Sequence, residues 1–244
     1  MNLIFNSTTD IGNTRPTNQD SIFTNSISVN DINFFIAVVC DGLGGLQCGE
    51  IASQKTISYI KEWFNCLRYR SFSMENINSQ FEYLTDELDN LILQVNSDLV
   101  DYSTEKNISM GTTLSLIFIG NENYYIINVG DSRIYKYNQN IFQVTTDDSN
   151  VLIVDGQKKL VLTQCIGKKI DIDLRIDGGT ISIGDTFLLC SDGFYKRMDL
   201  NLITTHLQNI STKEDIQYME QILINDIKQK GEPDNISIIV VKFI

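Results

Sequence analysis

The sequence contains few of the residues that mark linkers between domains. Only two of its 244 residues are proline, Pro16 and Pro233, and its glycines fall largely in predicted turns. There is no internal repeat, low-complexity tract or Pro/Ser-rich stretch at which the chain divides. We therefore expect one domain over residues 1–244, which buries about 70 to 75% of the surface exposed by the unfolded chain.

Basic residues are also scarce, at 19 against 31 acidic ones, which gives a formal net charge of −12. This charge repels phosphate backbones and anionic lipid, so we expect no nucleic-acid partner. No stretch approaches the ~18 apolar residues that a membrane-spanning helix needs. The N-terminal sequence MNLIFNSTTD has no basic segment followed by an apolar one. We expect a protein that does not associate with membranes.

The sequence has no CxxC pair, and its five cysteines are odd in number. Cys40 and Cys190 end apolar runs, where a free cysteine serves as a small core residue. This usage favours the reducing cytoplasm. The single histidine, His206, lies in a predicted helical segment far from the motifs described below, and we interpret it as solvated or partly packed.

Hydrophobic periodicity predicts a chain that alternates groups of strands with paired helices. Apolar stripes at helical spacing cover residues 60–67, 81–99 and 216–227. Strand patterns cover residues 3–5, 21–24, 34–40, 112–119, 124–129, 134–137, 160–163, 174–176, 180–183, 187–190 and 236–243. Runs of strands interrupted by helices indicate an α+β fold rather than a βαβ repeat.

The most informative segment is DGLGG, residues 41–45, which follows the apolar run 34–40. It places the carboxylate of Asp41 and a turn almost without side chains at the exit of a buried strand. Asp131 and Asp192 likewise follow the apolar runs 124–129 and 187–190. Carboxylates at strand ends suit a hard divalent cation, although a single Asp-Gly pair is more often simply a turn.

Seven motifs in fixed order give these aspartates a context, and together they are far more specific than any one of them. The motifs are RPTNQD (15–20), CDGLGG (40–45) with GE (49–50), GTT (111–113), GDSR (130–133), LTQCIG (162–167), CSDG (190–193) and PDN (233–235). With these motifs, the sequence from Arg15 to Asn235 resembles the metal-dependent Ser/Thr protein phosphatases of type 2C, in their compact bacterial form. That resemblance implies a four-layer αββα fold: two mainly antiparallel β-sheets in a sandwich, flanked by pairs of antiparallel helices.

The resemblance also implies which residues hold metal. Asp41 would bridge two Mg²⁺ or Mn²⁺ ions, and the carbonyl of Gly42 would complete one of them. Asp192 and Asp234 would hold the other ion. Arg15 would bind the phosphate of the substrate, since a planar guanidinium can contact two phosphate oxygens at once.

Two further aspartates have less direct roles in the resemblance. Asp20 matches a position that orients metal-bound water. Asp131 matches a carboxylate that, with Asp192, contributes to a weaker third ion. For Asp131 a structural role as the cap of the Gly-Asp-Ser-Arg turn is an open alternative.

These observations predict a cytoplasmic phosphoserine/phosphothreonine protein phosphatase in which water activated by two metal ions attacks the phosphomonoester directly. Its substrates would be phosphorylated proteins, opposite a Ser/Thr kinase, and we expect a monomer. Two alternatives are open: a catalytically impaired phosphoprotein-binding module of the same fold, and a structural Ca²⁺ protein.

Two departures from the family pattern bear on mechanism. Leu43 stands where many relatives carry a histidine proposed as general acid, so protonation of the leaving group would need water or another donor. The family's flap, a helical segment near the active site, is strongly shortened between about residues 149 and 160. We expect an open, permissive or partner-completed cleft.

Overall fold

The computed structural model describes residues 2–43, 48–154 and 157–244, and the side chains of residues 154 and 157–159 are not described. Gly44 and Gly45 of the DGLGG segment thus lie outside the described residues. The helices are α1 (Gly49–Cys66), α2 (Ile77–Lys106), α3 (Asp192–Tyr195), α4 (Leu200–Asn209) and α5 (Lys213–Gln229). The strands are β1 (Leu3–Asp10), β2 (Asp20–Val29), β3 (Ile32–Asp41), β4 (Leu114–Gly120), β5 (Asn123–Val129), β6 (Arg133–Asn138), β7 (Asn140–Gln143), β8 (Ser149–Val154), β9 (Gln157–Leu162), β10 (Arg175–Thr180), β11 (Thr186–Cys190) and β12 (Ile236–Phe243).

Two five-stranded sheets form the centre of the fold. Their strand orders are β1-β12-β11-β6-β7 and β10-β5-β4-β3-β2. Every strand pair in both sheets is antiparallel. The predicted α+β class and its sandwich of two mainly antiparallel sheets are confirmed.

Strand β3 shows how the layers pack, because both of its faces are buried. Ile36, Val38 and Cys40 belong to the apolar cluster that includes the inner faces of α1 and α2. The alternate residues Ala37 and Val39 belong to a second cluster, shared with β11 and β12 of the other sheet. A third cluster packs α4 and α5 against the outer face of that sheet. Since side chains alternate along a strand, one uninterrupted apolar run supplies two layers of core.

The structure corrects one strand prediction. The two strands predicted at residues 174–176 and 180–183 are a single strand, β10, which ends at Thr180 and pairs with β5. Gly178 and Gly179 look like a break in the sequence, but they let β10 lie close to Tyr124. A Cβ on Gly179 would be 3.0 Å from the hydroxyl of Tyr124. Glycine here reflects close approach within a sheet and not a turn.

The segment of the predicted shortened flap forms an antiparallel hairpin of β8 and β9, in register from Ser149–Leu162 to Val154–Gln157. Its base is fixed by Asp148, whose carbonyl accepts the Thr163 N–H at 2.8 Å and whose N–H donates to Gly130 O at 2.9 Å. The hairpin exposes apolar side chains, among them Ile153, which is 75% exposed. Through the hydrogen bond from the Asp148 N–H to Gly130 O, the base of the hairpin is joined to the loop that carries Asp131.

Two expectations from composition can be compared with the structure. All five cysteines are free, and Cys40 and Cys190 are fully buried in the core. In the part of the chain that the structure describes, no helix combines the length and apolar character needed to cross a membrane.

Candidate active site

Four strand ends bring the predicted acidic residues to one end of the sandwich. Asp20 begins β2 and is the direct register partner of Asp41, the last residue of β3. Asp192 follows β11, whereas Asp234 precedes its antiparallel neighbour β12. The antiparallel pairing of each strand couple therefore places two carboxylates side by side.

The GTT motif fixes the backbone of Asp41. Its carbonyl accepts the N–H of Thr113 at 2.9 Å and the hydroxyl of Thr112 at 3.0 Å, and its own N–H donates to Thr113 Oγ1 at 3.0 Å. Thr113 Oγ1 lies 2.7 Å from Ser132 Oγ. This contact couples Asp41 to the loop that contains Asp131.

Two glycines permit close approach of the backbone at this end. A Cβ on Gly42 would lie 2.5 Å from the backbone of the first residue of α1. A Cβ on Gly193 would lie 2.0 Å from the carbonyl oxygen of Asn235 and 3.2 Å from the Cβ of Asp234. Gly193 thus allows the loop that carries Asp234 to pack against the beginning of α3, where Asp192 is located.

Arg15 binds one of the predicted metal ligands. Its Nε donates to Asp234 Oδ1 and its Nη2 to Asp234 Oδ2, both at 2.8 Å. The sequence predicted neither this pairing nor its two-pronged geometry. Because the guanidinium fork fits carboxylate and phosphate equally well, a phosphate group can compete with Asp234 for Arg15.

Asn235 positions the Arg15 loop, a role that sequence reasoning missed. Its Oδ1 accepts the N–H of Gln19 at 2.9 Å. Its Nδ2 donates to the carbonyls of Ile11 at 2.9 Å and Thr17 at 3.2 Å. One amide side chain therefore holds both ends of the loop in place. The adjacency of Asn235 to Asp234 was visible in the sequence, but its partners were not.

Asp20 is short of hydrogen-bond donors. It is 7% exposed, and its Oδ2 accepts the Ser237 hydroxyl at 2.6 Å. Its Oδ1 is buried without a partner among the described residues. Burial, reinforced by the charges of Asp192 and Asp234, raises the pKa of Asp20 to about 6.

Asp41 lies at the centre of the negative charge. Burial raises its pKa well above the usual value, and the carboxylates of Asp20, Asp192, Asp234 and Asp131 add to that increase. The mutual effect shows that the predicted ligands share one electrostatic environment.

Asp131 and Lys196 face the same carboxylate, that of Asp192. Burial and the charge of Asp192 raise the pKa of Asp131 to about 6, while the charge of Lys196 acts in the opposite direction. Lys196 Nζ lies 2.5 Å from Asp192 Oδ2. Sequence reasoning missed Lys196, although its spacing of four residues from Asp192 was visible.

The chemistry of these side chains fits a hard divalent cation. All the donors are oxygen atoms, and both Asp20 Oδ1 and Asp192 Oδ1 are buried without a partner in the described part of the chain. Among residues 2–43, 48–154 and 157–244, no three acidic, His or Cys side chains form a ready-made ligand set. Asp234 and Asp192 instead turn towards Arg15 and Lys196. Ion binding by Asp234 therefore requires Arg15 to withdraw, whereas Asp192 has Oδ1 available while Oδ2 is paired with Lys196.

Known proteins resemble this chain over almost its whole length. It is 26% identical to the serine/threonine phosphatase stp of Listeria monocytogenes, covering 96% of this chain and 93% of the relative. It is 28% identical to the protein phosphatase PhpP of Streptococcus pneumoniae, covering 96% and 94% of the two chains.

Solved structures share the fold. The serine/threonine phosphatase of S. agalactiae superposes with a TM-score of 0.81 at 25% identity, over 100% of both chains. The catalytic domain of the serine/threonine protein phosphatase PstP, solved in complex with 2 manganese ions, has a TM-score of 0.74 at 24% identity, covering 98% and 97% of the two chains. The family model of protein phosphatase 2C matches residues 13–225. The chain therefore belongs to the protein phosphatase 2C family of serine/threonine protein phosphatases.

Proposed function

We propose that this enzyme hydrolyses phosphoserine and phosphothreonine in proteins with the help of two Mg²⁺ or Mn²⁺ ions. One observation carries the proposal: five aspartates meet at one end of the sandwich, and two of their oxygens are buried without a partner in the described structure. Of these five carboxylates, Asp192 and Asp234 alone have a paired cation among the described residues. Such an excess of negative charge is suited to binding cations from solution. The manganese complex of PstP, which shares the fold, supports the choice of metal.

In this proposal four of the aspartates have distinct tasks. Asp41 and the carbonyl of Gly42 would bind the ions at the centre, and Asp192 and Asp234 would bind on the side of α3. Asp20 accepts a hydrogen bond from Ser237 with one oxygen, and its other oxygen, which has no partner among the described residues, would orient water. When bound, the ions lower the pKa of water and neutralise charge on the phosphoryl group.

Arg15 is the proposed phosphate-binding residue. It is held against Asp234 by the two hydrogen bonds described above and is 36% exposed, so incoming substrate can reach it. Metal binding to Asp234 would release the guanidinium, which then has its two parallel donors available for the substrate phosphate. Leu43 offers no proton to the leaving group, so we assign that proton to water.

The test is phosphate release by the purified chain from an aryl phosphate and from phosphoserine peptides. We expect turnover with Mn²⁺ or Mg²⁺, its loss in EDTA, and its loss in Asp192→Asn. Asp171→Asn, a change at an exposed aspartate outside the cluster, is the matched control and should behave as the wild type. Turnover that persists in EDTA would exclude the proposed mechanism.

The hairpin of β8 and β9 supports a second candidate, a phosphoprotein-binding module without turnover. The resemblance implies a helical flap near the active site, whereas the corresponding residues here form an antiparallel hairpin. Under this second candidate, the hairpin does not close the cleft around the substrate. This module would bind phosphoserine peptides in Mn²⁺ without releasing phosphate. A structural Ca²⁺ protein would instead be stabilised by Ca²⁺ and release no phosphate. Recording melting temperature and hydrolysis in the same metal titration separates these outcomes.

The cellular setting is part of the proposal. The five free cysteines support a reducing compartment, and we place the enzyme in the cytoplasm. We propose that it acts as a monomer on phosphorylated proteins, opposite a Ser/Thr kinase. Retention of catalytic activity by the isolated monomer in size-exclusion chromatography would test the oligomeric part of this proposal.

A further inference from the structure

Lys196 is a cation supplied by the chain itself to the acidic cluster. It directly follows α3, the short helix that begins at Asp192, and its N–H donates to the Asp192 carbonyl at 3.1 Å. This turn of helix brings Nζ to within 2.5 Å of Asp192 Oδ2. The ion pair is therefore formed between the two ends of one helical turn.

The ammonium group is paired with one oxygen of Asp192, Oδ2, and the other oxygen of this carboxylate is buried without a partner among the described residues. The Lys196 side chain is 47% exposed, so it reaches the cluster from the solvent side and can move without disturbing the core.

Arg133, although only two residues from Asp131, is committed to other partners. Its Nη2 donates to Asp147 Oδ2 at 2.7 Å, and its guanidinium lies 3.6 Å above the ring of Tyr195. Of these two cations, Lys196 is therefore the one that is paired with Asp192.

A divalent ion held by Asp131 and Asp192 would have to displace this ammonium group. The displaced group remains tethered within one helical turn, so it competes at a high effective concentration. It would also repel the ion that displaced it, because two positive charges a few ångströms apart interact unfavourably. Both effects weaken an ion at that position.

We propose that Lys196 takes the place of a third divalent ion in this chain: its ammonium group pairs with Asp192, the carboxylate that such an ion would share with Asp131, so the centre holds two ions. This inference rests on the proposed metal-dependent function. It makes Lys196 a positioning residue that fixes the charge and the side-chain geometry of Asp192.

The experiment counts bound Mn²⁺ in the full-length, metal-depleted protein by calorimetric titration and by the EPR signal of free Mn²⁺. Wild type and the charge-preserving variant Lys196→Arg should bind two ions. Lys196→Gln should bind a third ion, more weakly than it binds the first two. Its affinity for this third ion should be at least about tenfold higher than any residual affinity of the wild type at the same position. Lys230→Gln is the matched control, because Lys230 forms an i,i+4 pair with Asp226 outside the cluster. Adding Asp131→Asn to Lys196→Gln should remove the third ion again.

Melting temperatures give a second measurement that does not depend on activity. Without metal, Lys196→Gln should melt below the wild type, because Asp192 loses its counter-charge, and Mn²⁺ should stabilise the variant more than the wild type. Three ions in the wild type, or two in Lys196→Gln, would overturn this inference and leave the proposed function intact. A wild type that binds no Mn²⁺ would overturn both.

Discussion

Strand β11 has an aspartate beyond each end, and the two are treated in opposite ways. Asp185 precedes the strand and is 1% exposed. Its Oδ1 accepts Asn138 Nδ2 at 2.6 Å, and its Oδ2 accepts the Ser182 N–H at 3.0 Å and pairs with Lys136 Nζ at 2.8 Å. These donors outweigh burial and lower the pKa of Asp185. This carboxylate is fully satisfied by the fold.

Asp192, at the other end of β11, has one oxygen against Lys196 and one that is buried without a partner among the described residues. Its neighbours Asp20 and Asp131 have raised pKa values. A buried carboxylate with a complete set of donors stabilises the structure, whereas a cluster that lacks them is destabilising unless something binds there. The comparison separates Asp185, which the fold satisfies, from the aspartates of the candidate site without reference to any relative.

The largest effect that tests this comparison is expected for Asp41→Asn. Removing the central ligand should lower kcat/KM for an aryl phosphate by at least about 10³-fold, equivalent to about 4 kcal/mol. In the absence of metal the same variant should melt at or above the wild-type temperature at pH 8, because it relieves repulsion within the cluster. Steady-state kinetics checks the expected fall in kcat/KM, and thermal melting without metal checks that the melting temperature does not fall. A marked loss of metal-free stability would mean that Asp41 is a structural residue.

The sequence predicted which strands lead to these aspartates, but it did not predict which side chains contact them. The apolar runs before Asp41 and Asp192 predicted where each chain segment leaves the sheet, and the order of the motifs predicted that both reach one site. Lys196 was missed because an i,i+4 spacing of Asp and Lys is common on exposed helix surfaces, and only the structure places Asp192 in a cluster of aspartates.

The remaining misses have related physical causes. Ser237 lies inside the apolar run of β12, and nothing in the sequence indicated that its hydroxyl donates to Asp20 of the other sheet. The hairpin of β8 and β9 pairs two short segments that expose apolar residues, so it lacks the alternation that marks a half-buried strand. Long-range partners and exposed edges carry little local signal.

At the opposite end of β11, Asp185→Asn should cost stability and leave turnover unchanged. It removes the charge that compensates Lys136, which is 16% exposed, and we expect a loss of about 3 kcal/mol in the free energy of unfolding. The melting temperature should fall by about 6 to 12 °C. Because the folded-state pKa of Asp185 is lowered, this stabilisation is present above its unfolded pKa and disappears as the pH falls through the folded value.

Denaturant unfolding at pH 7 and pH 3, together with kcat at full metal occupancy, checks this prediction. The difference between variant and wild type should shrink at the lower pH. A fall in kcat of the folded variant would break the separation between the two ends of β11.

Glu220 provides an intermediate case away from the cluster. It is fully buried between α5 and β1, and its Oε2 accepts Asn6 Nδ2 and the Thr8 hydroxyl, both at 2.6 Å. Its Oε1 has no partner in the described structure, and burial raises its pKa to about 7. Since the folded pKa lies above the unfolded value, its contribution is most favourable at low pH and is lost as the pH rises to about 7.

Glu220→Gln should remove this pH dependence. Relative to the variant, the wild type should lose about 3 kcal/mol of unfolding free energy between pH 4.5 and pH 8. Denaturant titrations of both proteins across that range measure the difference, in which the contributions of the shared aspartates cancel. Parallel curves for the two proteins would show that ionisation of Glu220 does not lower the free energy of unfolding. A buried carboxylate oxygen without a partner would then no longer indicate a destabilised carboxylate.

The smallest effect concerns the cation at the active end. Arg15→Lys keeps the charge but loses the two parallel donors that now bind Asp234, so we expect KM for a phosphopeptide to rise about tenfold, or about 1.4 kcal/mol, with a smaller change in kcat. The matched change Arg70→Lys, in an ion pair with Glu87 outside the cluster, should leave KM unaltered. Steady-state kinetics of the three proteins at saturating Mn²⁺ make the measurement. Equal KM values would mean that Arg15 stays with Asp234 during turnover, as Lys136 stays with Asp185, and that the two ends of the sandwich use their cations in the same way.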